Sequence, residues 1–110
     1  MVTMIDRESM PGKCPTERVV DLIGGRWKAP ILWRLAGKSP LRFSELRRGL
    51  AACSQKVLTQ QLRQMEADGL IRRKIYAQVP PRVEYSLTAR GRSLAPILRA
   101  MCRWERCRGR

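Results

Sequence analysis

Apolar residues recur at helical spacing through most of the chain and turn strand-like in one place, between Ile71 and Leu87, where β-branched and aromatic residues gather and Val83, Tyr85 and Leu87 alternate with Arg82, Glu84 and Ser86. Val19, Val20, Leu22 and Ile23 predict a first helix over Thr16 to Ile23, opened just after Pro15 and stopped at Gly24-Gly25. Trp27, Ile31, Leu32 and Leu35 predict a second from about Arg26 to Ala36, with Pro30 early enough to be tolerated in its first turn, and Gly37 ends it. Leu41 to Leu50 reads as a third helix, with Phe43 and Leu46 on its buried side. After the break at Gly49 to Cys53, Leu58, Leu62 and Met65 define the apolar face of a fourth, running from Ser54 to Asp68. Ser54 is placed to cap it, and Asp68-Gly69 to close it with a left-handed residue.

The alternating region then predicts two strands, Ile71 to Ala77 and Arg82 to Leu87, joined by Gln78-Val79-Pro80-Pro81. Two prolines at the tip remove backbone donors, so this hairpin is expected to project instead of recruiting another strand. Thr88 caps a last helix carrying Leu94, Ile97, Leu98, Met101 and Trp104, and Pro96 inside it is expected to kink it. Two short helices followed by a hairpin make the predicted fold mainly α with a small β-hairpin wing, a winged helix-turn-helix. Residues 1–12 are expected to form a flexible arm, 13–104 the folded domain and 105–110 a basic tail.

The polar face of the fourth helix carries the chemistry. Gln55, Lys56, Thr59, Gln60 and Arg63 lie opposite the apolar face and bring amide, hydroxyl and cationic groups of the kind that read base edges in a major groove. Ser54 fixes where that helix starts and therefore which of these side chains its N-terminal end projects. Arg42, Arg47 and Arg48 on the supporting helix are suited to phosphate contacts that set register, and Arg82 at the wing tip to a phosphate or a narrow minor groove. Arg63 is far enough along its helix to meet phosphate as readily as a base. The run Arg72, Arg73 and Lys74 is divided evenly between a solvated strand and DNA contact.

Charge agrees with this reading. Twenty-three Lys and Arg against nine Asp and Glu give a formal net charge of +14 in 110 residues, which favours a polyanionic partner and salt-dependent binding. Charge alone would equally suit an RNA-binding protein or a membrane-surface protein; laid over the helix-turn-helix it points to double-stranded DNA. No apolar run approaches the ~18 residues of a membrane span, and the start of the chain lacks the apolar block of a secretory signal, so a cytoplasmic protein is expected.

The four cysteines, Cys14, Cys53, Cys102 and Cys107, form no Cys-x-x-Cys pair, and the chain has no histidine. The usual companion ligand for zinc and the usual base for a cysteine nucleophile are both missing, so neither a metal site, a cofactor nor catalysis is expected. Cys14 stands before a helix N-terminus and beside Lys13, positive surroundings of the kind that favour a thiolate; the alternative is a small packing residue. Trp27, Trp33 and Trp104 read as core or interface residues.

Cys14-Pro15, Leu22-Ile-Gly-Gly-Arg-Trp27, Arg42-Phe-Ser-Glu-Leu-Arg47, Ser54-Gln-Lys-Val-Leu-Thr59, Asp68-Gly-Leu70, Pro80-Pro-Arg-Val-Glu-Tyr-Ser-Leu-Thr88 and the Gly91 to Pro96 segment together resemble the HxlR-type transcriptional regulators, winged-helix proteins related to the MarR group. The match runs from Lys13 to Trp104 in the family's order. The resemblance implies a homodimer in which the first and last helices of two subunits pack together and present two recognition helices to a pseudo-palindromic operator. It also implies a candidate redox sensor at the Cys-Pro cysteine, here Cys14. Cys53 departs from the family, which usually carries an aliphatic residue there, and Cys102 and Cys107 fall in its variable tail.

The dimer interface is expected on Leu94, Ile97, Leu98, Met101 and Trp104, an apolar stripe too continuous to stay exposed on so small a domain. A small-molecule effector at that interface is the alternative input to Cys14 oxidation. The rival functions are a winged-helix module that binds protein or RNA without operator specificity and, much weaker without histidine, a thiol-dependent enzyme.

Overall fold

A computed structural model describes residues 14–107. The expected arm, Lys13 and the last three residues of the expected tail lie outside that range. In chain order the elements are α1 Pro15–Ile23, α2 Lys28–Gly37, β1 Leu41–Arg42, α3 Phe43–Gly49, α4 Gln55–Ala67, β2 Ile71–Tyr76, β3 Arg82–Leu87, α5 Ala89–Arg92 and α6 Ala95–Cys107. This is a winged helix: α3 and α4 form the helix-turn-helix, and β2 and β3 form the wing.

Two departures from the sequence reading have simple causes. Leu41 and Arg42 do not start a helix; they form a short strand paired antiparallel to β3, Leu41 opposite Tyr85 and Arg42 opposite Glu84, giving a three-stranded sheet of order β1-β3-β2. The apolar side chain of Leu41 is buried either way, so its periodicity could not distinguish the two. The last helix is also divided. Thr88 caps only the four-residue α5, its hydroxyl accepting the Gly91 N–H at 3.0 Å, and a new helix begins at Ala95. Pro96 therefore occupies the first turn of α6, where a missing N–H interrupts no helical hydrogen bond, and not the interior of a continuous helix. At its other end α6 continues through Glu105 and Arg106 to Cys107, past the expected end of the domain.

One core holds these elements together. Ile31, Leu32 and Leu35 of α2 meet Leu46 of α3, Leu58, Leu62 and Met65 of α4, and Leu41, Tyr85 and Leu87 of the sheet. Leu94 and Leu98 join the same core from the C-terminal side. Burying a Leu side chain contributes about 1.5–3 kcal/mol, so the α4 stripe alone anchors the recognition helix firmly.

The end of α4 is tied to the end of the wing. Gly69 adopts φ +76°, the left-handed conformation that lets the chain turn from α4 into β2. The Thr88 hydroxyl donates to the Gly69 carbonyl at 2.6 Å, the Thr88 N–H donates to Leu70 O at 3.1 Å, and the Arg90 guanidinium donates to Asp68 O. Gly91 packs so closely on Leu70 that a Cβ there would collide with the Leu70 carbonyl oxygen. The Arg73–Glu66 ion pair at 3.6 Å adds a second link between wing and α4.

Candidate nucleic-acid interface

The interface is built outward from the Ser54 cap. Ser54 is extended at φ −70°, ψ 157°, and its hydroxyl oxygen accepts the Val57 N–H at 3.1 Å, so α4 starts at Gln55. With Leu58, Leu62 and Met65 fully buried, helical geometry turns Gln55, Lys56, Gln60 and Arg63 to solvent on the opposite face. Thr59 lies on that face too, half-buried, with its hydroxyl donating to the Gln55 carbonyl at 2.9 Å. That bond occupies its hydrogen and leaves it an acceptor and a methyl group to offer a base.

The supporting helix is prepared by charge. The Glu45 carboxylate accepts the Arg42 N–H at 2.8 Å across the first turn of α3. That backbone hydrogen bond, helped by the positive charges of Lys38, Arg42 and Arg48, holds the Glu45 carboxyl below its ordinary pKa. Arg34 braces the far end of α3 through its guanidinium, Nη2 donating to Glu45 O at 3.5 Å and the group lying against Gly49. Arg42, Arg47 and Arg48 are left exposed.

Two hollows connect the parts. One of about 440 Å³ is lined by Phe43, Ser44, Arg47, Arg48, Ala51 and Gln55, which brings two of the predicted phosphate contacts beside the first residue of the recognition helix. Another of about 300 Å³ runs between α3 and the wing tip and includes Arg42, Ser44, Gln78 and Arg82. Ser44 borders both and Gln78 borders the second, and neither was singled out from the sequence. Ser44 was legible only as an opening residue of its helix, and Gln78 only as part of a turn; the contact arises from the fold of the wing towards α3.

Arg82 is not a loose tip residue. Its guanidinium lies 4.7 Å from the centre of the Tyr76 ring and 3.0 Å from the Glu84 carboxylate, while the Tyr76 hydroxyl donates to the other Glu84 oxygen at 3.1 Å. Strand alternation separates the neighbouring basic run: Arg73 goes to Glu66, Lys74 lies 4.9 Å over the Tyr76 ring, and Arg72 is exposed opposite Ser86.

The cysteines divide by environment. Cys14 is the half-buried residue that precedes α1, and its N–H donates to the Glu17 carboxylate at 3.3 Å, so a negative group shares its helix entry. Cys53 is buried immediately before the α4 cap, and burial pushes its thiol up from the ordinary value, against weaker opposing effects of Arg26 and Arg47. Cys102 is half-buried and Cys107 exposed on α6.

Of the expected dimer stripe, Leu94 and Leu98 are committed to the core of this chain, while Ile97, Met101 and Trp104 are 48%, 51% and 72% exposed. Trp27 packs partly against the core, and Trp33 is exposed. No helix among the described residues is long and apolar enough to cross a membrane.

Residues 22–108 match the family model for HxlR-like helix-turn-helix proteins. An uncharacterised HTH-type transcriptional regulator of Halalkalibacterium halodurans is 49% identical over 90 residues, 82% of this chain and 80% of that protein. Two solved structures of the redox regulator HypR are similar to most of this chain. The oxidised form has 47% identity and a TM-score of 0.78 over 83% of this chain and 93% of its own; the reduced form has 46% and 0.80 over 83% and 89%.

Proposed function

Because the chain belongs to the HxlR-like helix-turn-helix family and is a transcriptional regulator of the helix-turn-helix type, we propose that it acts as a homodimer on a pseudo-palindromic DNA operator. The observation that carries the reading is the Ser54-capped helix α4, which offers Gln55, Lys56, Thr59, Gln60 and Arg63 on one face, with Arg42, Arg47 and Arg48 exposed alongside. Helix α4 enters the major groove, Gln55, Lys56, Thr59 and Gln60 read bases, and the arginines of α3 hold phosphates on either side. Arg63 meets the backbone. Arg82, already stacked on Tyr76, meets a phosphate or the minor groove beside the wing without the cost of ordering a free side chain. The setting is the cytoplasm, where the DNA is.

The test is affinity for an operator selected from genomic fragments, compared with a scrambled duplex over a range of salt. Gln60→Ala should lose about 1–3 kcal/mol on the operator and relax preference at one position in each half-site, whereas Arg47→Ala should weaken both duplexes alike and reduce the salt slope by about one contact. Equal losses for Gln60→Ala on operator and scrambled DNA would remove it from base readout. Tight, sequence-independent binding to RNA would favour the interaction-module reading.

The dimer rests on α1 and on the exposed side chains of α6. Two-fold symmetry then places half-sites about one helical turn, roughly 34–36 Å, or a multiple of it apart. Likeness to a redox regulator resolved in oxidised and reduced forms supports a redox input, for which Cys14 at the entry to α1 is our candidate. Oxidation there adds bulk and polarity at the entry to α1, and so at the interface between subunits. Operator affinity should fall or rise on treatment with peroxide or diamide in the natural protein and stay constant in Cys14→Ser; equal responses in both would rule Cys14 out and leave a small-molecule effector as the input.

A further inference from the structure

The outer face of the three-stranded sheet is basic except at one residue. Strand alternation places Arg42, Arg72, Lys74 and Arg82 on that face, and among the described residues Glu84 is the only acid in the three strands. A carboxylate on a surface that meets a polyanion repels it, so its presence there costs affinity unless it does something else.

Glu84 is not simply a solvated charge. Its side chain is 14% exposed, against 35% for Arg82. The register sets it between Arg42 on β1 and Lys74 on β2, either of which a bare negative charge could neutralise. Its oxygens go to other partners. One accepts the Tyr76 hydroxyl at 3.1 Å, and the other lies 3.0 Å from Arg82 Nη2. Tyr76 and Arg82 themselves face each other where β2 ends and β3 begins, with the guanidinium 4.7 Å from the ring centre. The three side chains therefore close a loop: ring against guanidinium, hydroxyl to carboxylate, carboxylate to guanidinium. Arg82 Nε is buried and has no hydrogen-bond partner among the described residues, so the ring and the one carboxylate hold the group. Arginine has much rotamer freedom to lose, and here it is lost on folding, before DNA arrives. The place where it is fixed borders the hollow that Arg42, Ser44 and Gln78 share between α3 and the wing.

We propose that Glu84 and Tyr76 are positioning residues for the wing: they hold Arg82 where it meets duplex DNA, so that a carboxylate on a DNA-facing surface strengthens binding instead of opposing it. The role rests on the proposed operator binding, and it adds two residues that act through Arg82 without touching DNA. Charge and position then predict opposite signs. Removing a negative charge beside DNA raises affinity if charge alone counts, whereas removing the anchor of Arg82 lowers it.

The test is a double-mutant cycle on the full chain, with the operator selected from genomic fragments as probe. Glu84→Gln keeps the shape but has one accepting oxygen for two donors, and should weaken operator binding about fivefold. Tyr76→Phe removes only the hydroxyl, should weaken binding about threefold, and serves as the second variant if Glu84→Gln disturbs the hairpin. With Arg82→Ala already present, Glu84→Gln should weaken nothing and should tighten binding up to about twofold, the effect of a lone repelling charge. In DNA-free protein the Arg82 Nε–H group should show restricted motion in nitrogen-15 relaxation and become mobile in both single variants. Glu84→Gln binding as tightly as the natural protein or more so, an equal loss with and without Arg82, or an Arg82 that is already mobile in the natural protein would each overturn the proposal. A natural protein that retains no duplex at all would remove the operator reading and this role together, and differs from failure of the role alone, in which the natural protein binds and Glu84→Gln binds no worse.

Discussion

The helix-turn-helix buries its apolar faces within this chain, whereas α1 and α6 leave much of theirs exposed. Helix α4 sinks Leu58, Leu62 and Met65 fully into the core, and the exposed apolar residues of the wing, Ile75 and Val79, are isolated on a projecting hairpin. Helix α1 buries no residue fully, its Leu22 and Ile23 resting half-buried on the core and Val20 57% exposed, and α6 contributes Leu98 while leaving Ile97, Met101 and Trp104 outside. The same small domain thus contains one exposed surface that is polar and basic and another that is apolar. Scattered exposed apolar residues are ordinary; three on one face of one amphipathic helix are the feature on which the proposed dimer rests.

The sharpest way to break this contrast is to damage each half separately. Leu62→Ala should cost about 2–5 kcal/mol in urea unfolding, because it empties a site packed on all sides. A loss well below that range would mean that the DNA-reading half does not carry its own core. Trp104→Ala should act on association instead, raising the dimer dissociation constant about thirtyfold, or about 2 kcal/mol, in sedimentation at graded concentrations. A natural protein that sediments as a monomer at micromolar concentration, both free and on DNA, would show the α1–α6 half to be complete as it stands.

Smaller effects sharpen the contrast further. Ser54→Ala should cost about 1 kcal/mol of stability by releasing the Val57 N–H, with a larger proportional loss of operator affinity because the frayed turn carries Gln55 and Lys56. The gentlest probe is thiol chemistry. Cys107 on α6 should alkylate readily in the folded protein, while Cys53 should react only when the chain opens. Burial raises the Cys53 pKa in the folded state, so its contribution to stability is complete below the ordinary thiol range, about pH 8.5, and declines as the pH rises through that range and beyond. Unfolding midpoints measured from neutral to alkaline pH in the natural protein and Cys53→Ala should diverge slightly in that direction; rapid labelling of Cys53 at neutral pH would contradict its burial.

The helix-turn-helix was legible because its signals are local: a cap, a Gly break, and one apolar face on each helix. The wing was legible from β-branched and aromatic residues on either side of a Pro-Pro turn, with alternation over Arg82 to Leu87. What escaped was set by partners distant in sequence. Leu41 and Arg42 became a strand because β3, more than forty residues later, offers Tyr85 and Glu84 opposite them. The division of the last helix was hidden because Leu94 and Leu98 keep the same spacing across the break, and their burial in this chain's own core could not be separated by periodicity from the exposure of Ile97 and Met101. Arg82 was read as a free cation at a turn, since nothing in its immediate neighbours announces that Tyr76 and Glu84 fold back to hold it.

The knot at Thr88 has a consequence for how such a molecule could be switched. With Thr88 bound to Gly69 and Leu70, Arg90 to Asp68 and Gly91 wedged against Leu70, the recognition helix and the root of the wing are fastened at a common point just ahead of α6. In the proposed dimer, a displacement of α6 would therefore swing helix and wing as one body. Vocabulary and grammar then separate: substitutions on α4 alter which bases each half-site accepts, whereas a signal that acts through α6 alters the spacing and angle at which two acceptable half-sites are recognised as a pair.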